Sequence, residues 1–552
     1  MKRKALIAFA SLFLSLGVFA QDQNFDLGHI NGNVSILWQQ YNEDTLIGAQ
    51  VPAEKAGFNA YGNLIYTRGN FSAGIRYESY LSPILGYPGR FNGTGIGYRY
   101  AQYTHQKFDI TIGNFYDQIG SGMIFRTYED RNLGLDNAMD GIRVIFRPFE
   151  GVMLKGMYGK QRLDFNDRLI NSDGIVRAFD AEVFVNDLIP SLQDKGLKVT
   201  IGGGFVSRYQ DGDIIEKDTL QLIVPNNVGA YTGRVKLQWK GFSAYGEYVE
   251  KINDPSADNS FTYRKGQAAL VQLGYTRKGI GVNVEAKMVD NMSFRSDRDL
   301  LLFDVPVNFV PTITKQHTYN LAATLYPYAT VIYGETSIMG EVFYKIPWGK
   351  YGTNISVNYA AANNLDTTRY SGLDEQIYGY QRNSWGFGDT KYIRDFNIEI
   401  KQKFNKKFTA KLSYFNFEFN TNSTPVTTEF KGIVYADILV VEMKYKLAKK
   451  HSIRAELQGL RTKQDRGDWA TGLLEYTFSP HWFASVIDQY NFGNSNPDQR
   501  IHYLFGTVGY INGSNRISIG YGKRREGIFC VGGVCRAVPA SNGFEMTITS
   551  SF

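Results

Sequence analysis

The sequence predicts an all-β fold: one large transmembrane antiparallel β-barrel of about 24–26 strands. Three observations carry it. Apolar residues recur with period two almost from end to end, the spacing of a strand with one oily and one wet face. Turn signals divide this pattern into about 25 strand-like segments, too many for an ordinary sandwich. The mean hydropathy is negative, −0.28, and beyond the first twenty residues no stretch is apolar enough for a membrane helix. A barrel wall reconciles a polar average with a membrane, because it meets lipid on one face and water on the other while closure pairs every backbone group.

The chain begins with a basic cluster, Lys2, Arg3 and Lys4, followed by an apolar run from Ala5 to Ala20. Val18, Phe19 and Ala20 place small residues where a signal peptidase reads, so residues 1–20 are expected to be a signal peptide cleaved before Gln21. No cysteine follows the cut, which argues against a lipoprotein anchor. Removing the three leader bases leaves 57 basic against 53 acidic residues, a net charge of +4. So weak an excess argues against nucleic acid as a partner. Residues 21–552 are then one barrel with long external loops.

The alternation is clear in several segments. Leu197, Val199 and Ile201 alternate with Lys198, Thr200 and Gly202. Val235 and Leu237 alternate with Arg234 and Lys236, and Val282, Val284 and Ala286 with Asn283, Glu285 and Lys287. Phe396, Ile398 and Ile400 face away from Glu399 and Lys401; Ile453, Ala455 and Leu457 face away from Arg454 and Glu456. Connections alternate too. Short ones (68–70, 104–107, 149–151, 240–241, 277–279, 405–407, 479–481, 512–514) interleave with long ones (42–55, 161–174, 210–226, 251–264, 365–390, 420–431). An even strand number is expected, but the count loses parity between Met288 and Tyr351. Either residues 300–309 hide a strand, or a segment such as 319–325 does not span.

The last ten residues, 543–552, place Phe544, Met546, Ile548 and Phe552 on one face and Glu545, Thr547, Thr549 and Ser551 on the other. This terminal strand with its final aromatic resembles the closing strand of Gram-negative outer-membrane β-barrels. The resemblance implies an outer-membrane location with both termini periplasmic, lipid as surroundings, and recognition of Phe552 by the barrel-assembly machinery. The Gly- and Tyr-rich strands, residues 120–141 and the Cys-Val-Gly-Gly-Val-Cys-Arg ending are similar to an uncharacterised large-barrel family of Bacteroidota. Only a few residues separate Gln21 from the first strand near Ile30, so no N-terminal plug domain is expected, against a TonB-dependent transporter.

Residues 120–141 mix Arg126, Glu129, Asp130, Arg131, Asp136 and Asp140 with Met123, Ile124, Phe125, Leu133 and Leu135. A wide barrel leaks unless something narrows it, and a loop folded inward with charges would also set selectivity. The alternative is an external loop with its own small core. The lumen-wall charges Lys198, Arg234, Lys236, Glu285, Lys287, Arg454 and Glu456 require water or partners. They form a polar conduit, or ladders that brace neighbouring strands, and bracing is favoured for most. The aromatics of 365–390, Tyr370, Tyr378, Tyr380, Trp385 and Phe387, suit sugar or protein contact, or simple loop packing.

Cys530 and Cys535 are the only cysteines. Beyond an oxidising compartment, with Gly532-Gly533 permitting a tight reversal, they are expected to form a disulfide. A metal would want more ligands, and no metal or cofactor is expected. His29, His105, His317, His451, His481 and His502 form no HExxH pattern, and GxSxG and P-loop motifs are absent. An enzyme is therefore not expected, although spacing alone leaves open a site gathered from several strands. Two functions compete: a passive channel for a hydrophilic solute narrowed by 120–141, and a non-conducting barrel subunit of an outer-membrane assembly with other membrane proteins as partners.

Overall fold

The computed structural model describes residues 27–552 apart from 50, 213, 218–219, 302–303, 424–429 and 532–533, and leaves aside the side chains of 193 and 529–535. The expected signal peptide lies outside the described residues. Twenty-four strands, from His29–Tyr41 to Ser541–Ser551, form one antiparallel sheet in which each strand pairs with the next. The last strand pairs with the first, Ile36 opposite Ile548 and Gln39 opposite Glu545, so the sheet closes into a barrel. The Gly32 N–H donates to the Phe552 carbonyl at 3.0 Å, completing the seam. A Cβ at Gly32 would stand 2.5 Å from the Phe552 ring, so the missing side chain makes room for the terminal aromatic.

The wall is inverted relative to a water-soluble protein. Leu457, Leu504, Val508 and Ile201 are more than half exposed on the outside. Arg162, Lys287, Arg234 and Glu456 are buried on the inside. That arrangement is stable only where lipid covers the outer face. Short turns such as 69–70, 240–241 and 513–514 gather at one end, together with His29 and Ser551; long connections gather at the other.

The parity fault resolves at residues 291–333, between strands Ile280–Asp290 and Gly334–Ile346, which pair directly. The described part of this insert holds no strand. Residues 320–325, one of the segments weighed as a strand, form the short helix Asn320–Leu325. Its Leu- and Ala-rich sequence favours a helix, and a short apolar run fits either structure. Two expected loops are mostly strand. Residues 161–174 are reversed at 167–168 between Val152–Asn166 and Leu169–Phe184. Residues 365–390 extend the hairpin of Thr353–Arg369 and Tyr380–Lys403, with a small helix, Leu373–Tyr378, at its tip. One connection at the short-turn end is longer than expected, 185–196, and carries two short helices, Val185–Leu188 and Pro190–Asp194.

Candidate functional site: the loop-filled lumen

The lumen is filled by two stretches of chain that lie between strands. Residues 116–138 fold inward, and so does the insert 291–333. Ile119, Met123, Ile124 and Phe125 of the first meet Met292, Phe294, Val307 and Val310 of the second in one buried cluster. The cluster continues into the wall through Val206, Val228, Ala230, Val249 and Ala268. Backbone hydrogen bonds tie the two stretches: Arg126 N–H to the Val307 carbonyl and Phe309 N–H to the Gly122 carbonyl, each 2.9 Å. The helix Asn320–Leu325 reaches another part of the wall, where Leu321 and Tyr326 pack with Phe415, Phe417, Trp469 and Tyr503. The interior is thus cored by apolar burial where the two stretches lie, which alternation alone does not signal. Consecutive apolar pairs such as Phe205-Val206 and Val440-Val441 were the available hint, since they make both faces of a strand apolar.

Most charges of 120–141 turn to the wall. Asp136 accepts from Arg162 at 2.9 Å, from Tyr116 at 2.9 Å and from Arg76. Glu129 pairs with Arg76 at 3.0 Å and with Arg131 at 2.7 Å. Asp130 accepts the backbone N–H groups of Asn132 and Leu133, closing a turn. The Arg126 guanidinium lies 4.0 Å from the centre of the Phe309 ring. Asp140 belongs to the strand Met139–Phe146 and lies 3.3 Å from Arg99. Of the five expected constriction charges, Arg131 lines a remaining lumen cavity.

The lumen-wall residues divide in the same way. Arg234 pairs with Asp180 and Glu182 at 2.7 and 2.8 Å. Lys287, fully buried, pairs with Glu335 at 3.0 Å and donates to the Pro311 carbonyl and the Thr330 hydroxyl. Arg454 gathers Glu442, Glu475 and Glu456. Glu285 accepts from Asn283 at 2.8 Å. Lys198 and Lys236 stay exposed near the short-turn end. Arg208 and Lys251 hold Asp254 on the loop 252–265. Burial alone would raise that carboxyl, but the two cations outweigh it and keep it below the usual carboxylate range.

Among the described residues the lumen keeps a run of three cavities along one side. One of about 320 Å³ at the long-loop end is lined by Tyr326, Phe419, Asp465 and Arg466. The next, about 760 Å³, is lined by Tyr61, Tyr87, Arg131 and Phe505; Arg525, Glu526, Gly527 and Ile528 line both. The third, about 840 Å³, lies at the short-turn end between Lys401, Lys444, Arg454 and Arg516. The strand Trp482–Tyr490 links the last two, with Ile487 and Gln489 on the second and Ser485 on the third.

The lining is strongly cationic. Lys401, Lys403, Lys406, Lys407 and Lys446 have no ion-pair partner among the described residues. Burial pulls the Arg525 guanidinium down to about 10, with the charge of Arg466 acting in the same direction, and burial also lowers Arg536. Cys530 and Cys535 stand opposite each other in the hairpin Gly527–Val531 and Val534–Val538, while their side chains, and so the expected disulfide, lie outside the described residues. Tyr370 packs on Tyr378, and Trp385 stacks near Tyr248, so part of that aromatic set is used in packing. Among the described residues no three His, Cys, Asp or Glu side chains gather as a metal site.

Closed sheet, apolar exterior and partly hollow interior define a transmembrane β-barrel with stretches of its own chain folded inward. The chain belongs to the family described as a family of unknown function, DUF6029, whose model matches residues 1–552. No curated protein matches it. Among solved structures it is similar to the outer membrane protein opdK from Pseudomonas aeruginosa (11% identity, 84% of this chain and 98% of that chain, TM-score 0.34). It is also similar to the siderophore receptor PirA from Pseudomonas aeruginosa (10%, 95% and 80%, TM-score 0.44) and to Acinetobacter baumannii OccAB3 (10%, 96% and 100%, TM-score 0.35). With TM-scores this low, these likenesses carry nothing about what the chain does.

Proposed function

We propose that this protein is an outer-membrane channel for a small hydrophilic solute, constricted from within by residues 116–138 and 291–333. The observation that carries this is the run of three cavities along one wall, beside an interior otherwise filled by those two stretches. Water-lined charges fit a solute path, and apolar packing elsewhere keeps the barrel from leaking. The terminal strand ending in Phe552, which resembles the closing strand of Gram-negative outer-membrane barrels, supports an outer membrane with the short turns and both termini on the periplasmic side. No step of this reading calls for catalysis.

Planar-bilayer recording of the purified, folded protein tests it: discrete steps of conductance are expected. The apolar packing of the helix Asn320–Leu325 against Phe415, Phe417 and Trp469 favours a second reading, a closed barrel that serves as a subunit of a larger assembly. Absence of any conductance, with partners that co-purify in fixed ratio, would select that one.

A further inference from the structure

Two buried cations line the middle cavity without an ion-pair partner among the described residues. Five basic residues line it, and three of them have carboxylate partners: Arg524 with Glu545 at 2.6 Å, Lys523 with Asp44 at 2.8 Å, and Arg131 with Glu129 at 2.7 Å. Arg525 and Arg536 have none among the described residues. Both are more than nine-tenths buried, at 8% and 7% exposure.

Arg525 is held by neutral acceptors. Its Nε donates to Gln489 Oε1 at 2.8 Å, Nη1 to the Glu526 carbonyl at 3.0 Å, and Nη2 to Asn320 Oδ1 at 3.1 Å and to the Thr324 hydroxyl. These bonds fix the guanidinium between the helix Asn320–Leu325 and the wall but leave its charge uncompensated. Arg536 is less satisfied still. Among the described residues its Nη2 reaches only the Leu85 carbonyl at 3.5 Å, and its Nε and Nη1, both buried, have no hydrogen-bond partner. Glu526, the carboxylate of the lining, is engaged by Arg466, and Asp130, whose charge reaches Arg536, accepts the Asn132 and Leu133 N–H groups and makes no ion pair with it. A buried guanidinium with unused donors is costly unless something supplies acceptors and negative charge. Its planar fork matches an oxyanion.

We propose that Arg525 and Arg536 form a lumenal binding site for the oxyanion of a small solute, a carboxylate or a phosphate. This rests on the channel reading and names the class of solute that it selects. Arg525 lines both the outer and the middle cavity, so an anion entering from the long-loop end meets it first. Arg536 supplies the free donors, and the unpaired lysines of the third cavity continue the positive lining toward the short-turn end.

The test is calorimetric titration of the full-length protein, folded in non-ionic detergent, with acetate, inorganic phosphate and glucose at constant ionic strength. Saturable binding of at least one oxyanion and none of glucose is expected. Response to acetate alone marks a carboxylate site, and response to phosphate alone marks a phosphate site. Arg536→Gln is expected to weaken binding at least tenfold. Arg525→Gln should do the same, but it also removes four hydrogen bonds. Arg536→Gln therefore carries the test, with far-ultraviolet circular dichroism confirming that it folds. If neither oxyanion binds saturably, or if Arg536→Gln binds like the parent, the proposal is overturned. Oxyanion binding without conductance would keep the site and remove the channel; conductance without oxyanion binding would do the reverse.

Discussion

On the wall formed by Phe71–Tyr80 and Val152–Asn166, buried arginines meet carboxylates: Arg162 touches Glu78 and Asp136, and Arg76 touches Glu78, Glu129 and Asp136. Beside the helix Asn320–Leu325, the buried Arg525 and Arg536 meet no carboxylate among the described residues, only neutral groups. The difference separates two uses of the same residue type. Paired, an arginine fastens a loop to the wall. Unpaired, it keeps a fixed charge facing a cavity, which needs a partner from outside the chain.

The comparison can be broken first on the fastened side. Deleting residues 123–138 removes Asp136, Glu129 and the apolar ridge of the inner loop. Unit conductance in planar bilayers is expected to rise several-fold, and an unchanged value would show that this stretch does not set the constriction. A narrower cut is Arg162→Met, which leaves two buried carboxylates, Glu78 and Asp136, with Arg76 as their one shared cation among the described residues. Stranding one partner of a buried pair costs about 3–5 kcal/mol, read as a lower denaturant midpoint for unfolding from detergent. Lys287→Met, which strands Glu335, should fall in the same range.

Acid provides a milder probe. Asp254 has a folded pKa below its unfolded value of about 3.9. Its contribution is therefore fully present above that value and fades as pH falls through the depressed folded one. Hydrogen-exchange protection factors in residues 252–265, corrected for the intrinsic rate at each pH, should fall as pH drops below about 4, and Asp254→Asn should abolish most of that change. The smallest effect belongs to the exposed turn residues Lys406 and Lys407. Replacing both with Gln should alter stability by no more than about 0.5 kcal/mol and only slightly reduce any preference for anions, measured as a reversal potential in a salt gradient.

Much of the wall was legible because a barrel repeats one rule. Period two, short turns opposite long loops, and a closing aromatic strand led to 24 strands within the expected span. Residues 120–141 also showed themselves, since charges beside Met123, Ile124 and Phe125 suit neither an open loop nor a spanning strand. The insert 291–333 was harder. Its apolar residues pack against inner-face Val and Ala from strands far apart in sequence, and no local pattern encodes that meeting. The unpaired state of Arg525 and Arg536 was equally hidden. Lys523, Arg524, Arg525 and Arg536 flank the cysteines in sequence, and only the fold places them on a lumen cavity.

The insert also constrains how such a barrel can be built. It leaves the sheet midway along the chain, yet Leu321 and Tyr326 rest on Trp469, Ile501 and Tyr503, which belong to the later third. The interior is therefore unfinished until nearly the last hairpin arrives, and the seam between Gly32 and Phe552 seals a chamber whose contents must already be in place.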